Sequence, residues 1–350
     1  MTDINFDANF WTTGAGSSGT YTMTSDVNVE GGGVPIGKTL ETAGFTLTIN
    51  SGVTFTNEGD IEIGVGGNID NSGNIDNSGN ITNNGTITNW GTIKIYINST
   101  ITNNGTITNT SGFIENFNGT ITNNNTITND NFFFNGGTIT NSGTITNNST
   151  IENSIGQILS NSEIKNSSDT AAPPNGGTYY YPDSNGLIMI TSSFTLPEGS
   201  SFTVKSTQTL IINSITFVNN GTITNDGTID NNGTILSNSV ITGGAPSGGT
   251  YYYPDSNGLI EITANFTLPA ESWFTVNQNQ TLQINSTVTF TNEGTITNND
   301  TIVNNGTITN NNTITNNDTI VNNQTITNGG TIINTSGKIL SNSVISPTAP

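Results

Sequence analysis

Isoleucine, or a residue like it, returns every sixth position along most of this chain. From Phe290 through Ile296, Ile302, Ile308, Ile314, Ile320, Ile326 and Ile332 the step never slips. Six is even, so in an extended chain each of these side chains faces the same way, whereas a helix of roughly 3.6 residues per turn would scatter them around its circumference. The chain therefore reads as all-β, and repetition at so short a period is the mark of a solenoid. Two further runs, Ile69 to Ile93 and Phe217 to Ile241, repeat the pattern.

One hexad, Thr86-Ile87-Thr88-Asn89-Trp90-Gly91, shows the logic. Thr-Ile-Thr suits a short strand because β-branched side chains pack well on a pleated surface. Alternation turns the isoleucine inward and both threonines outward. Two residues after isoleucine stands an almost invariant asparagine, among them Asn71, Asn89, Asn109, Asn298, Asn310 and Asn328. An inward column of this kind predicts amide stacked over amide. The following position varies, as an exposed corner does. The one after is Gly, Asn, Asp or Ser, the residues that best tolerate positive φ. Short strands joined by short corners predict a triangular coil of about 18 residues, a four-sided coil being the alternative. If all of the chain coiled, roughly 19 coils at about 4.8 Å each would extend on the order of 90 Å. Steps of seven or eight, such as Ile93 to Ile101, read as corner insertions.

The hexads fall into three tandem modules. Gly177-Thr-Tyr-Tyr-Tyr-Pro-Asp-Ser-Asn-Gly-Leu-Ile recurs almost word for word from Gly249, and a related opening begins at Gly19-Thr20-Tyr21. Each module closes on Ile-Leu-Ser-Asn-Ser (Ile158, Ile235, Ile339), and Pro-bearing linkers follow. The expected divisions are an N-terminal assembly segment at 1–18 and modules at 19–170, 171–245 and 246–350.

With 31% hydrophobic and 9% charged residues, the core must be thin. Five lysines face 25 acids, a formal net charge of −20, so phosphate backbones and anionic membranes are not expected partners. There is no histidine, cysteine or arginine, which removes Ser-His-Asp and Cys-His nucleophiles, zinc sites and arginine clamps. No catalytic, cofactor or metal residue is assigned. Acids such as Glu62, Asp70 and Asp76 could stack on one face as carboxylate pairs, but they read as solvated positions. Pro254-Asp255-Ser256-Asn257-Gly258 and its copy at Pro182 carry a trace of a calcium loop and read as turn chemistry.

Other residues do point outward. Ile4, Phe6, Phe10, Trp11 and Tyr21 at one end, and Val344 and Ile345 at the other, are expected to meet another copy, together with the tyrosines at 179–181 and 251–253. Sequons at Asn84, Asn104, Asn118, Asn220, Asn232, Asn305 and Asn323 lie at predicted corners and are candidate glycosylation sites. Outward threonine pairs, Thr86/Thr88, Thr106/Thr108, Thr307/Thr309 and Thr325/Thr327, could form flat arrays that bind glycans or ice.

The hexads resemble the Asn/Gly/Thr-rich β-solenoid repeats of bacterial surface adhesins and of virus and phage fibres. The resemblance implies a non-enzymatic structural protein that polymerises head to tail, on a cell or virion surface or outside the cell, with surface glycans as further partners. The alternative is an adhesin or ice binder. The chain is also similar to the left-handed hexapeptide acyltransferases, but threonine follows isoleucine where they favour glycine, and it has no histidine to serve as their base. Met1-Thr-Asp-Ile-Asn-Phe-Asp lacks the regions of a secretory signal, and no apolar run would span a bilayer, so membrane insertion is not expected. A leader removed from the sequence, or a different route such as assembly into a virus particle, would account for the location.

Overall fold

The computed structural model describes residues 2–342 and 345–346. Nearly every strand pairs in parallel with the strand one coil away, giving a triangular β-solenoid of about 16 turns with a single short helix among the described residues. Residues 2–183 and 184–346 form two units.

In the first unit one face is a nine-stranded ladder from Thr20–Thr22 to Thr178–Tyr180. The other two faces share Val27–Val34, which pairs at Val27–Val29 with one face and at Gly33 and Val34 with the other. The second unit holds two sets of three sheets, one built from strands between Leu187 and Tyr252 and the other from Leu259 to Ser346.

The isoleucines stack in register, Ile296 on Ile314 on Ile332 and Ile302 on Ile320, each 1–2% exposed. Beside them run the asparagines, turned inward as expected. Asn71, Asn89, Asn109, Asn129 and Asn147 form one ladder, each Nδ2 donating to the next Oδ1 at 2.8 to 3.0 Å. The second N–H of Asn71 reaches the Thr92 carbonyl at 3.1 Å, so one amide ties two corners together. Asn292, Asn310 and Asn328 repeat the device at 2.7 Å. A buried amide is costly unless it is bonded, and here the N–H groups of each rung are bonded, one of them to its own copy one coil on.

Coils are often longer than 18 residues. Thr120 pairs with Thr138, 18 apart, but Asp60 pairs with Asn80 and Leu259 with Thr281. The total falls short of 19 because many coils take 20 or more residues. Corner chemistry also differs from expectation. The hexad corners are absent from the positive-φ set, which gathers instead at inserted corners such as Gly52, Gly66, Asn98 and Asn118. Glycine at a hexad corner has another cause: a Cβ on Gly91 would meet the Gly73 carbonyl oxygen at 1.9 Å. Close stacking, rather than backbone freedom, selects it.

Candidate functional site

The first coil carries a cover. Strand Thr2–Phe6 lies parallel to Val27–Val34, and helix Ala8–Thr12 follows, capped by Asp7, whose carboxylate accepts from the Phe10 N–H at 2.9 Å. Trp11 is 2% exposed and donates its indole N–H to the Gly33 carbonyl at 2.6 Å. Phe6 sits 4.8 to 6.2 Å from Phe10, Trp11, Tyr21 and Phe55. Phe6 and Trp11, expected to face another copy, are therefore buried in this unit's own core. Ile4, Phe10 and Tyr21 lie half-buried against the same cluster. At the other terminus Ile345 pairs with Ile326 and packs on the core. Val344 lies outside the described residues.

The tyrosine openings also turn inward on the chain. Thr178–Tyr180 pairs with Gln157–Ser160, and Thr250–Tyr252 with Thr234–Ser237. The Tyr179 hydroxyl accepts from the Ile164 N–H at 2.6 Å and Tyr251 from Ile241 at 2.9 Å, while each ring stacks on its neighbour two residues on, at 4.6 and 4.5 Å. Burial pushes both hydroxyls above the usual tyrosine range. These strands close the coil beneath them.

The ladders also have terminators that the sequence reading missed. Asn141, Asn219 and Asn322 donate to the hydroxyls of Ser160, Ser237 and Ser341, and Ser160 and Ser237 donate onward to carbonyls two residues ahead. A hydroxyl can accept one bond and return another within its own corner, so the ladder ends without a stranded donor. The signal was present in the shared Leu-Ser-Asn ending. Its start is less tidy: the Oδ1 atoms of the first rungs Asn57, Asn71, Asn292 and Asn298 are buried without a partner.

The carboxylate stack that the sequence left open does not form. Glu62, Asp70 and Asp76 lie on consecutive strands, hence on three different faces. Partial burial raises the Asp70 carboxyl, and Asp76 sits 3.7 Å from Lys94. Asp255 accepts from the N–H groups of Asn257 and Leu259 at 2.8 and 2.9 Å, and bonds from Leu259 and Asn257 hold its carboxyl low. Those bonds define a turn.

Of the sequon asparagines, Asn84, Asn104, Asn118, Asn232 and Asn323 are exposed and Asn305 is half-buried. Asn84, Asn104 and Asn124 form a second, outer amide ladder at 2.9 and 2.8 Å. Asn220 departs from expectation: at 4% exposure it donates to the Trp273 carbonyl and accepts from the Thr275 N–H, leaving no room for a glycan. The threonines do form an array. On one face Thr86, Thr106, Thr126 and Thr144 stand in register, as do Thr88, Thr108, Thr128 and Thr146. Another face of the same unit breaks the pattern with Phe113, Phe132 and Phe134, beside the corner residues Tyr96 and Phe117.

The chain is thus a repeat β-solenoid protein of adhesin type, its parallel coils tied by amide ladders. The chain belongs to the haemagglutinin-repeat family, whose model matches residues 18–111, 78–149, 118–172, 201–268 and 275–346. Comparison with curated proteins gave no match. Among the described residues no helix is long and apolar enough to cross a membrane.

Proposed function

We propose that this chain is a non-enzymatic structural part of a secreted or surface-displayed adhesin, and that copies of it join into a fibre. The observation that carries the reading is the family match, which runs over most of a chain built from continuous parallel ladders. A ladder's last coil presents unpaired backbone groups, and heterologous pairing at such an edge extends into filaments rather than closing into rings. Among the described residues Lys338–Ser341 and Ile345–Ser346 stand last in their sheets, whereas the coil at the N-terminal end lies under its strand and helix. Growth through the C-terminal coil fits this asymmetry better than growth through Phe6 and Trp11. The excess of acid favours neutral over anionic glycans as surface partners.

Labelling intact source cells or particles with an antibody, with electron microscopy of the purified chain, tests both parts. Surface label and filaments of regular repeat are expected. Label confined to the cell interior would overturn the surface role, and monodisperse monomers at high concentration would overturn the fibre. The registered threonine face favours one second reading, ice binding, which a thermal-hysteresis measurement separates from adhesion to a glycan array.

A further inference from the structure

Within the second unit, two outward positions that elsewhere hold threonine hold Val218 and Leu236 instead. They stand in register on neighbouring strands and are fully buried. The first coil of the following module covers them. Its strand Trp273–Val276 is held there by two corner amides: Asn220 donates to the Trp273 carbonyl at 2.7 Å and accepts from the Thr275 N–H at 3.0 Å, and Asn238 donates to the Thr275 carbonyl at 3.3 Å. Gln280 from the same coil donates to the Asn238 carbonyl at 2.6 Å. Two side-chain amides thus stand in for a neighbouring strand, offering the donors and acceptors that an extended backbone needs.

The last module rebuilds this surface residue for residue. Val321 and Leu340 are in register, followed by Asn322 and Ser341 where the first surface has Asn219 and Ser237, and then by Asn323 and Asn342 in place of Asn220 and Asn238. The internal bonds match as well: Asn219 donates to Ser237 at 2.8 Å and Asn322 to Ser341 at 3.0 Å, while Asn238 donates to Asn220 at 3.5 Å and Asn342 to Asn323 at 3.3 Å. Exposure is what differs. Leu236 is 0% exposed and Leu340 is 55% exposed, with Asn323 and Asn342 exposed beside it. Asn323 also donates to Asn305 at 2.9 Å, but an amide carries two N–H groups and two lone pairs, so this bond leaves capacity for a strand.

We propose that the face formed by Val321, Leu340, Asn323 and Asn342 is a docking site for the opening coil of a further module of this repeat type, taken through an extended strand equivalent to Trp273–Val276. The occupied copy supplies the chemistry of the occupant: apolar side chains laid over Val321 and Leu340, and alternate backbone N–H and C=O groups presented to the two amides. The inference rests on this internal duplication and stands whether or not the protein is found on a surface.

The test extends the full chain at Pro350 with a second copy of residues 246–346 and follows hydrogen exchange at 319–323 and 338–342. Protection at both segments should rise at least tenfold over the unextended chain, toward that at 216–220 and 234–238. Leu340→Asp in the extended chain should remove the gain, while the same substitution in the unextended chain leaves exchange elsewhere unchanged. An extended chain that folds, judged by circular dichroism in proportion to its length, yet exchanges at 338–342 as before would overturn the proposal. So would a gain that survives Leu340→Asp combined with Asn342→Ala. A matching gain at 319–323 as well as at 338–342 in the unextended chain when its concentration is raised tenfold would overturn the stated occupant in favour of a second intact copy, since pairing of copies at the edge strand alone protects 338–342 only.

Discussion

The hexad run of the last module and the closing coil of the module before it are written in nearly the same residues, yet one propagates and the other stops. In the run, each coil hands the next what it received: an isoleucine to cover, an amide oxygen to accept, a carbonyl to bond. At Thr234–Ser237 three exchanges end the series. Serine replaces the ladder asparagine, leucine replaces the outer threonine, and a tyrosine strand replaces the next Thr-Ile-Thr. Propagation needs a side chain that is both donor and acceptor in one fixed geometry, while termination needs one that can close the bond on its own backbone.

The ladder gives the sharpest way to break this contrast. Asn310 receives from Asn292 and donates to Asn328 and to the Thr331 carbonyl. Asn310→Leu strands a buried donor below and two acceptors above, at about 1–3 kcal/mol for each stranded group, partly relieved by relaxation; a loss of about 4 kcal/mol is expected. Asn292→Leu also strands two acceptors, Asn310 Oδ1 and the Thr313 carbonyl, but it strands no donor and removes an oxygen that already lacks a partner, so it should cost about 2 kcal/mol less. Chemical unfolding of the two variants checks the difference, and equal losses would mean that the ladder is not directional.

The leucines set the second test. Leu236→Ala empties a fully covered site and should cost about 3 kcal/mol, whereas Leu340→Ala, at 55% exposure in the unextended chain, should cost less than about 0.5 kcal/mol. Thermal unfolding of both variants reads the contrast directly. Similar losses would show that the face around Leu340 is already covered in solution.

Ile296 and Asn310 were legible in the sequence because a strict period fixes both their direction and their neighbours. Leu236 and Leu340 were not distinguishable, since they occupy the same motif and differ only in what lies outside it. Trp11 was read as a contact for another chain because apolarity reports that a side chain wants cover without saying whose. Glu62, Asp70 and Asp76 could be imagined on one face only because the short period was read as linear; in a three-sided coil, neighbours along the sequence point to different sides and only a full coil returns to the same one. Gly91 was assigned to the corner for its φ freedom, when the Gly73 carbonyl one coil away was the constraint. Each failure came from treating a coil as a linear pattern.

The smallest expected effect separates the tyrosine strand from the hexads it interrupts. The Tyr251 hydroxyl is the acceptor for the part-buried Ile241 N–H, so Tyr251→Phe leaves that donor unpaired and should cost about 1 kcal/mol at neutral pH. Burial raises the hydroxyls of Tyr179 and Tyr251 above the ordinary 10.0, which means that the unfolded chain ionises first. The stability they contribute is fully present below pH 10 and is lost as pH rises through the folded values. The wild-type chain should therefore weaken from about pH 10 upward, while Tyr251→Phe, having one such group fewer, loses less over the same interval. Residues 289–334 contain no tyrosine, so hydrogen exchange followed in denaturant at pH 8 and pH 11 should show the alkaline loss at 241–252 before it appears at 289–334. Simultaneous loss at both would place the alkaline weakness in the repeat rather than in its closing strands.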